Sequence, residues 1–194
     1  MTGLSRSQQE KNESKEFRDG LLASIPSLRA FALSLAQSPD SADDLVQETL
    51  VKAWDKQSAF QPGTKLKAWL FTILRNEFYS QLRKRGREVL DGEGTMTERL
   101  AVHPGQHGRL DLEDLGSALE LLPDDQREAI VLVGALGFSY AEAAEVCNCA
   151  VGTIKSRVSR ARSGLMERLG LEGDADFGPD SLDVEVMRAN LPAR

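Results

Sequence analysis

Apolar residues recur every three or four positions through nearly all of this sequence, and no stretch keeps the strict alternation of a half-buried strand or the Asn-Gly signal of a hairpin. That period admits one fold class, all-α. A first helix is read over 13–24, and Pro26 suits the first turn of a second, striped by Leu28, Phe31, Ala32 and Leu35. In PDSADDLVQETLVKAW another helix starts, with Ser41 or Asp40 as cap and Asp43 and Asp44 near the positive end of its dipole. SAFQPGT breaks it, and the next helix runs from Thr64 or Lys65 to about Lys84.

Residues 86–110 hold five glycines and little periodic apolar content, which reads as a linker with room for one short helix over 97–101. Periodicity then resumes. A helix over 111–121 precedes PDDQREAIVLVGALG, which has Asp124 and Asp125 at its start and Gly137 as its C-cap. The expectation is two small helical domains, 13–86 and 111–170, joined by a flexible linker over 87–110. Residues 1–12 are expected to be a disordered N-terminus and 171–194 an acidic flexible tail. Seven Phe, two Trp and two Tyr in 194 residues suit two short cores.

The most informative stretch is SYAEAAEVCNCAVGTIKSRVSRAR, residues 139–162. Ser139 and Glu142 form a capping-box pattern, Asn148 tolerates a left-handed turn, and a longer helix begins near Val151. At 100° per residue Val151, Ile154, Val158, Ala161 and Leu165 fall within about 80° of arc and are expected to be buried. The opposite face holds Gly152, Thr153, Ser156, Ser159 and Arg160, flanked by Lys155, Arg157 and Arg162, without an acid. Short residues permit close approach to a major groove, polar side chains reach base edges, and cations meet phosphates. This is the profile of a helix-turn-helix recognition helix.

Net charge of −6 and a pI near 5.1 sit oddly beside such a helix until the charge is mapped. Residues 75–87 carry five basic residues against Glu77 alone, and 151–168 carry five against Glu167 alone. Residues 91–128 carry ten acids against three basic residues, and six acids follow Leu171. Two basic patches thus alternate with acidic stretches. No Gly-rich phosphate loop and no nucleophile with a neighbouring base appears, so an enzyme is not expected. Cys147 and Cys149 with His103 and His107 fit no common zinc spacing, and neither a metal nor a cofactor is expected. No apolar run approaches the ~18 residues of a membrane span, and the N-terminus lacks a signal-peptide profile, so the expected location is the cytoplasm.

DDLVQETLVKAW resembles the core-binding segment of RNA polymerase sigma factors, and KAWLFTILRNEFYSQLRKRGRE resembles the neighbouring segment that handles the −10 promoter element. The stretch from LPDDQREAIVLV to KSRVSRAR is similar to the sigma domain that reads the −35 element. The chain resembles the extracytoplasmic-function (ECF) sigma factors over residues 13–170, with wording nearest the EcfG-type group of the alphaproteobacterial general stress response. The resemblance implies a sigma2-like and a sigma4-like domain that direct core polymerase to promoters. It also implies that Asp43, Asp44, Leu45, Gln47 and Glu48 dock on the β′ clamp helices, with the second domain at the β flap. Phe60 and Asn76 would capture a flipped −10 base, with Arg83, Lys84 and Arg85 on the nearby DNA. Lys155, Ser156, Ser159 and Arg160 match base-facing −35 positions, with Thr153, Arg157 and Arg162 as phosphate candidates. Trp54, Trp69, Phe71 and Phe78 are expected in the core. A NepR-type anti-sigma factor, displaced by a PhyR-type response regulator, is the implied inhibitor. A sigma mimic or a stand-alone helix-turn-helix regulator is the alternative.

Overall fold

The computed structural model describes residues 6–36, 38–60, 65–91 and 112–170, with side chains from 14 to 87 and 114 to 170 within those ranges. The expected linker helix over 97–101 and the tail over 171–194 lie outside them. The chain divides into two compact units, Met1–Glu98 and Arg99–Arg194. All regular structure among the described residues is helical.

In the first unit α1 (Arg6–Ala36), α2 (Pro39–Asp55) and α3 (Leu66–Asp91) pack on one another, with one 3-10 turn at Gln57–Ala59. The two helices expected on either side of Pro26 are one. Proline removes a backbone N–H and costs an interior helix position. Here Phe17 and Leu21 before it, and Leu28, Phe31, Ala32 and Leu35 after it, are all buried, and packing on both sides of the proline carries the helix through. α1 also starts at Arg6, within the segment expected to be loose, and α3 continues to Asp91, past the expected end at Lys84. The cap of α2 is Ser38, not Ser41 or Asp40. Ser38 is extended (φ −139°, ψ 127°), and Pro39 follows with its φ already set for the first helical turn.

The core of this unit is apolar and aromatic. Leu28, Phe31, Leu45, Leu70, Phe71 and Leu74 are essentially inaccessible, each contributing about 1.5–3 kcal/mol by burial. Phe31 and Phe71 stack with centroids 5.2 Å apart. Thr49, fully buried on α2, donates its hydroxyl proton to the Leu45 carbonyl at 2.7 Å, which satisfies the one buried polar side chain of this unit among the described residues. Gly20 lets α1 approach α3, since a Cβ at that position would stand 2.6 Å from the Leu66 side chain.

The second unit comprises α4 (Leu112–Glu120), α5 (Asp124–Ile130), α6 (Tyr140–Cys147) and α7 (Val151–Arg168). Six consecutive residues, 127–132, are buried, so the chain is covered on all sides from the end of α5 into the turn that follows. Its charged members have work to do. Arg127 donates from Nη1 to the carbonyls of Glu120 and Leu122, both at 3.1 Å, and from Nη2 to Asp124 at 2.6 Å, closing the C-terminal end of α4. After Ile130 the helix widens into a π turn, Val131–Ala135, where Leu136 donates to the Val131 carbonyl at 3.0 Å. Gly137 (φ 69°) then ends it.

The helix-turn-helix forms as its residues dictate. Ser139 and Glu142 make a complete capping box at the start of α6, and Asn148 takes the left-handed conformation (φ 50°, ψ 53°) that turns the chain. Ile154, Val158 and Ala161 are buried against the other helices. Two expected members of that stripe are not. Val151 is 41% exposed because it opens α7 a turn before Ile154, the first position the neighbouring helices cover, and Leu165 is half-buried.

Candidate functional site

On α2 the five expected docking residues separate by burial. Asp44, Gln47 and Glu48 are exposed, whereas Leu45 is 1% exposed and packs the core. The Leu45 side chain is thus part of the core of this unit and not of the exposed face of α2. Asp43 is held bidentately by Arg29 of α1, Nε to Oδ1 at 2.6 Å and Nη2 to Oδ2 at 3.2 Å, and this hydrogen-bonded cation keeps its carboxyl below the usual range. Glu48 accepts from Gln81 Nε2 at 2.9 Å, and Gln81 also donates to Glu77 at 3.3 Å. Lys52 pairs with Glu77, whose pKa is lowered chiefly by that hydrogen bond against the opposing effect of burial. A polar groove of about 380 Å³ runs between α2 and α3, lined by Asp44, Glu48, Glu77, Gln81, Lys84 and Arg85 among others.

A second, apolar groove of about 320 Å³ lies between α1 and α2, with Leu21, Leu22, Leu50, Val51 and Trp54 between Arg18 and Asp55. Trp54, expected in the core, is 50% exposed, with Val51 60% and Leu22 58% exposed beside it. On α2 Trp54 follows Ala53, the residue that fills the buried stripe, and so turns outward. The signal was present in sequence, since Gln47, Val51 and Trp54 fall on one helical face.

Phe60 stacks with Phe17 and Trp69, centroids 5.7 and 5.4 Å away, and is half-buried. Asn76 is exposed and stands seven residues, about 10 Å, further along α3 than Trp69. Arg83, Lys84 and Arg85 are exposed on α3, and Arg75 lies 4.7 Å over the Tyr79 ring, itself edge-on to Phe78. Of the aromatics expected in the core, Phe71 is buried and Trp69 and Phe78 are half-buried.

Along α7 the expected face is intact. Lys155, Ser159 and Arg160 are exposed, and Thr153, Ser156 and Arg162 are half-buried. Ser156 donates its hydroxyl proton to the Thr153 carbonyl at 2.9 Å, which leaves its oxygen able to accept. Lys155 Nζ sits 5.8 Å from the Tyr140 ring centre. Arg157 differs from its neighbours, with Nε 3.0 Å from Asp125 and Nη1 3.8 Å from the Cys149 sulfur. Among the described residues no group of three or more His, Cys, Asp or Glu is placed to hold a metal, and no helix is long and apolar enough to cross a membrane.

A three-helix unit with polar and apolar grooves beside a basic helix, followed by a helix-turn-helix unit with an acid-free face, defines a transcription initiation factor of the sigma-70 class. Residues 22–88 match sigma-70 region 2 and residues 112–165 match sigma-70 region 4. The chain is 57% identical to the ECF RNA polymerase sigma factor EcfG of Rhodopseudomonas palustris, over 89% of this chain and 96% of that one. It is 39% identical to the ECF sigma factor SigC of Mycobacterium tuberculosis, over 73% of each. Among solved structures, the sigma factor RpoE of Bartonella quintana in complex with the anti-sigma factor NepR superposes with a TM-score of 0.73 at 61% identity, covering 82% of this chain and 99% of that one. The chain belongs to the ECF sigma factors.

Proposed function

We propose that this sigma factor directs core RNA polymerase to the promoters of general stress response genes in the cytoplasm, and that its inhibitor is an anti-sigma factor of the NepR kind. The observation that carries the reading is the pairing of a region 2 unit and a region 4 unit in a chain similar to EcfG over most of its length. Asp44, Gln47 and Glu48, with the apolar strip ending at Trp54, form the surface offered to the polymerase. Arg83, Lys84 and Arg85 face DNA near the −10 element, where Asn76 contributes a polar edge and Phe60 an aromatic wall. Lys155, Ser156, Ser159 and Arg160 read −35 bases, and Thr153 and Arg162 hold the adjoining phosphates. The RpoE–NepR complex supports the inhibitor, since the chain in it is 61% identical to this one.

Transcription in vitro from a promoter library, with and without core polymerase, tests the reading. Specific initiation is expected only when both are present. Tight sequence-specific binding by this chain alone at physiological salt counts against it, because a net charge of −6 opposes free duplex.

A further inference from the structure

We propose that Asp125 is a positioning residue for promoter recognition: through Arg157 it fixes the seat of α7, and so the aim of Lys155, Ser156, Ser159 and Arg160, without touching DNA itself. The inference rests on α7 being the −35 recognition helix, and it replaces the expected role of Arg157 as a phosphate contact.

Three observations support a strap. Arg157 is 21% exposed at its side chain, unlike Lys155 and Arg160 in the same helix, which are exposed. Its guanidinium is engaged on two edges, by the Asp125 carboxylate on α5 at 3.0 Å and by the Cys149 sulfur in the turn at 3.8 Å. One side chain therefore joins α5, the turn and α7. Third, the first half of α7 is thinly anchored. Ala150 gives it no side-chain cap, Val151 and Gly152 are exposed, and Ile154 is its one fully buried residue before Val158. Lys155 and Ser156 sit in that stretch, and Ser159 and Arg160 follow Val158 directly. With one fully buried side chain ahead of Val158, this stretch has little apolar anchorage, and a charge-assisted contact from Arg157 to α5 adds a second point of attachment. A phosphate approaching Arg157 would meet the Asp125 carboxylate, which is already paired with the guanidinium and carries the same sign.

The test uses the full chain with core polymerase on promoters varied at each −35 position, with affinity for −35 duplex followed against salt and with thermal denaturation alongside. Asp125→Asn and Arg157→Gln are expected to flatten −35 selectivity to the same degree, by about two- to fivefold, the range of a partly exposed ion pair. The double variant is expected to be no worse than either single one, Asp125→Glu to restore selectivity, and the salt slope to stay unchanged. A slope reduced by about one in Arg157→Gln makes that residue a phosphate contact and overturns the proposal. A uniform loss across all promoters that follows the melting temperature makes the pair merely structural and also overturns it. Arg160→Ala separates the two levels. If it alters selectivity while Asp125→Asn does not, the strap fails and the recognition helix stands; if neither alters it, the recognition-helix reading falls and the strap with it.

Discussion

Single side chains in this protein divide into those spent on the fold and those left for partners, and burial makes the division. Arg160, exposed at the middle of the acid-free face, is free to meet guanine bidentately. Arg160→Ala is expected to cost about 1–3 kcal/mol of discrimination at one −35 position, measured by comparing promoters that differ there. Equal weakening of every promoter would make it a phosphate contact instead. On α2, Asp44→Arg and Gln47→Ala are expected to weaken competition for core polymerase while leaving helical circular dichroism intact, since neither belongs to the buried stripe of Ala42, Leu45, Val46, Thr49 and Ala53. Glu77 supplies a pH dependence. Its folded pKa lies below the ordinary 4.5, so its pairing stabilises the first unit above that pH and is lost as pH falls through the folded value. Removing the pair by Lys52→Met is expected to cost about 1 kcal/mol or less, and to move acid unfolding to higher pH in a titration followed by circular dichroism.

At the scale of elements, α1 shows where sequence reasoning stops. Pro26 is a strong local signal for a helix start, and only tertiary burial on both sides of it decides for one continuous helix. The missing N–H leaves an exposed, interrupted ladder. Pro26→Ala is expected to stabilise the first unit by about 2 kcal/mol in chemical denaturation, the ~3 kcal/mol interior cost less the ~1 kcal/mol that proline contributes by restricting the unfolded chain. The capping box, the Asn148 turn and the end at Gly137 were legible because each is fixed by neighbours within a few residues. The π turn at Val131–Ala135 was not, since an extra residue per turn follows from how a helix buried on all sides meets its surroundings. The same limit applies to the site. The acid-free face of α7 is a property of spacing alone, while the outward turn of Trp54, the burial of Leu45 and the engagement of Arg157 depend on other helices.

At the scale of the whole molecule the chain divides into two compact units, and the proposed function uses them together on a third party. A polymerase that holds both at fixed spacing makes the second promoter contact effectively intramolecular, which offsets the repulsion between an acidic protein and DNA. An inhibitor can exploit the same division by gripping both units at once. Fragments 1–98 and 99–194 are each expected to bind a NepR-type anti-sigma factor more weakly than the full chain does in calorimetry, and equal affinity of one fragment and the full chain would refute the two-unit grip. The distribution of aromatic residues gives the experimenter a means of watching the units one at a time. Both tryptophans, Trp54 and Trp69, lie in the first unit, one half in solvent at a groove and one in a ring cluster. Indole emission is therefore blind to the helix-turn-helix, and its quenching or shift reports the first unit alone, while far-ultraviolet dichroism sums over both.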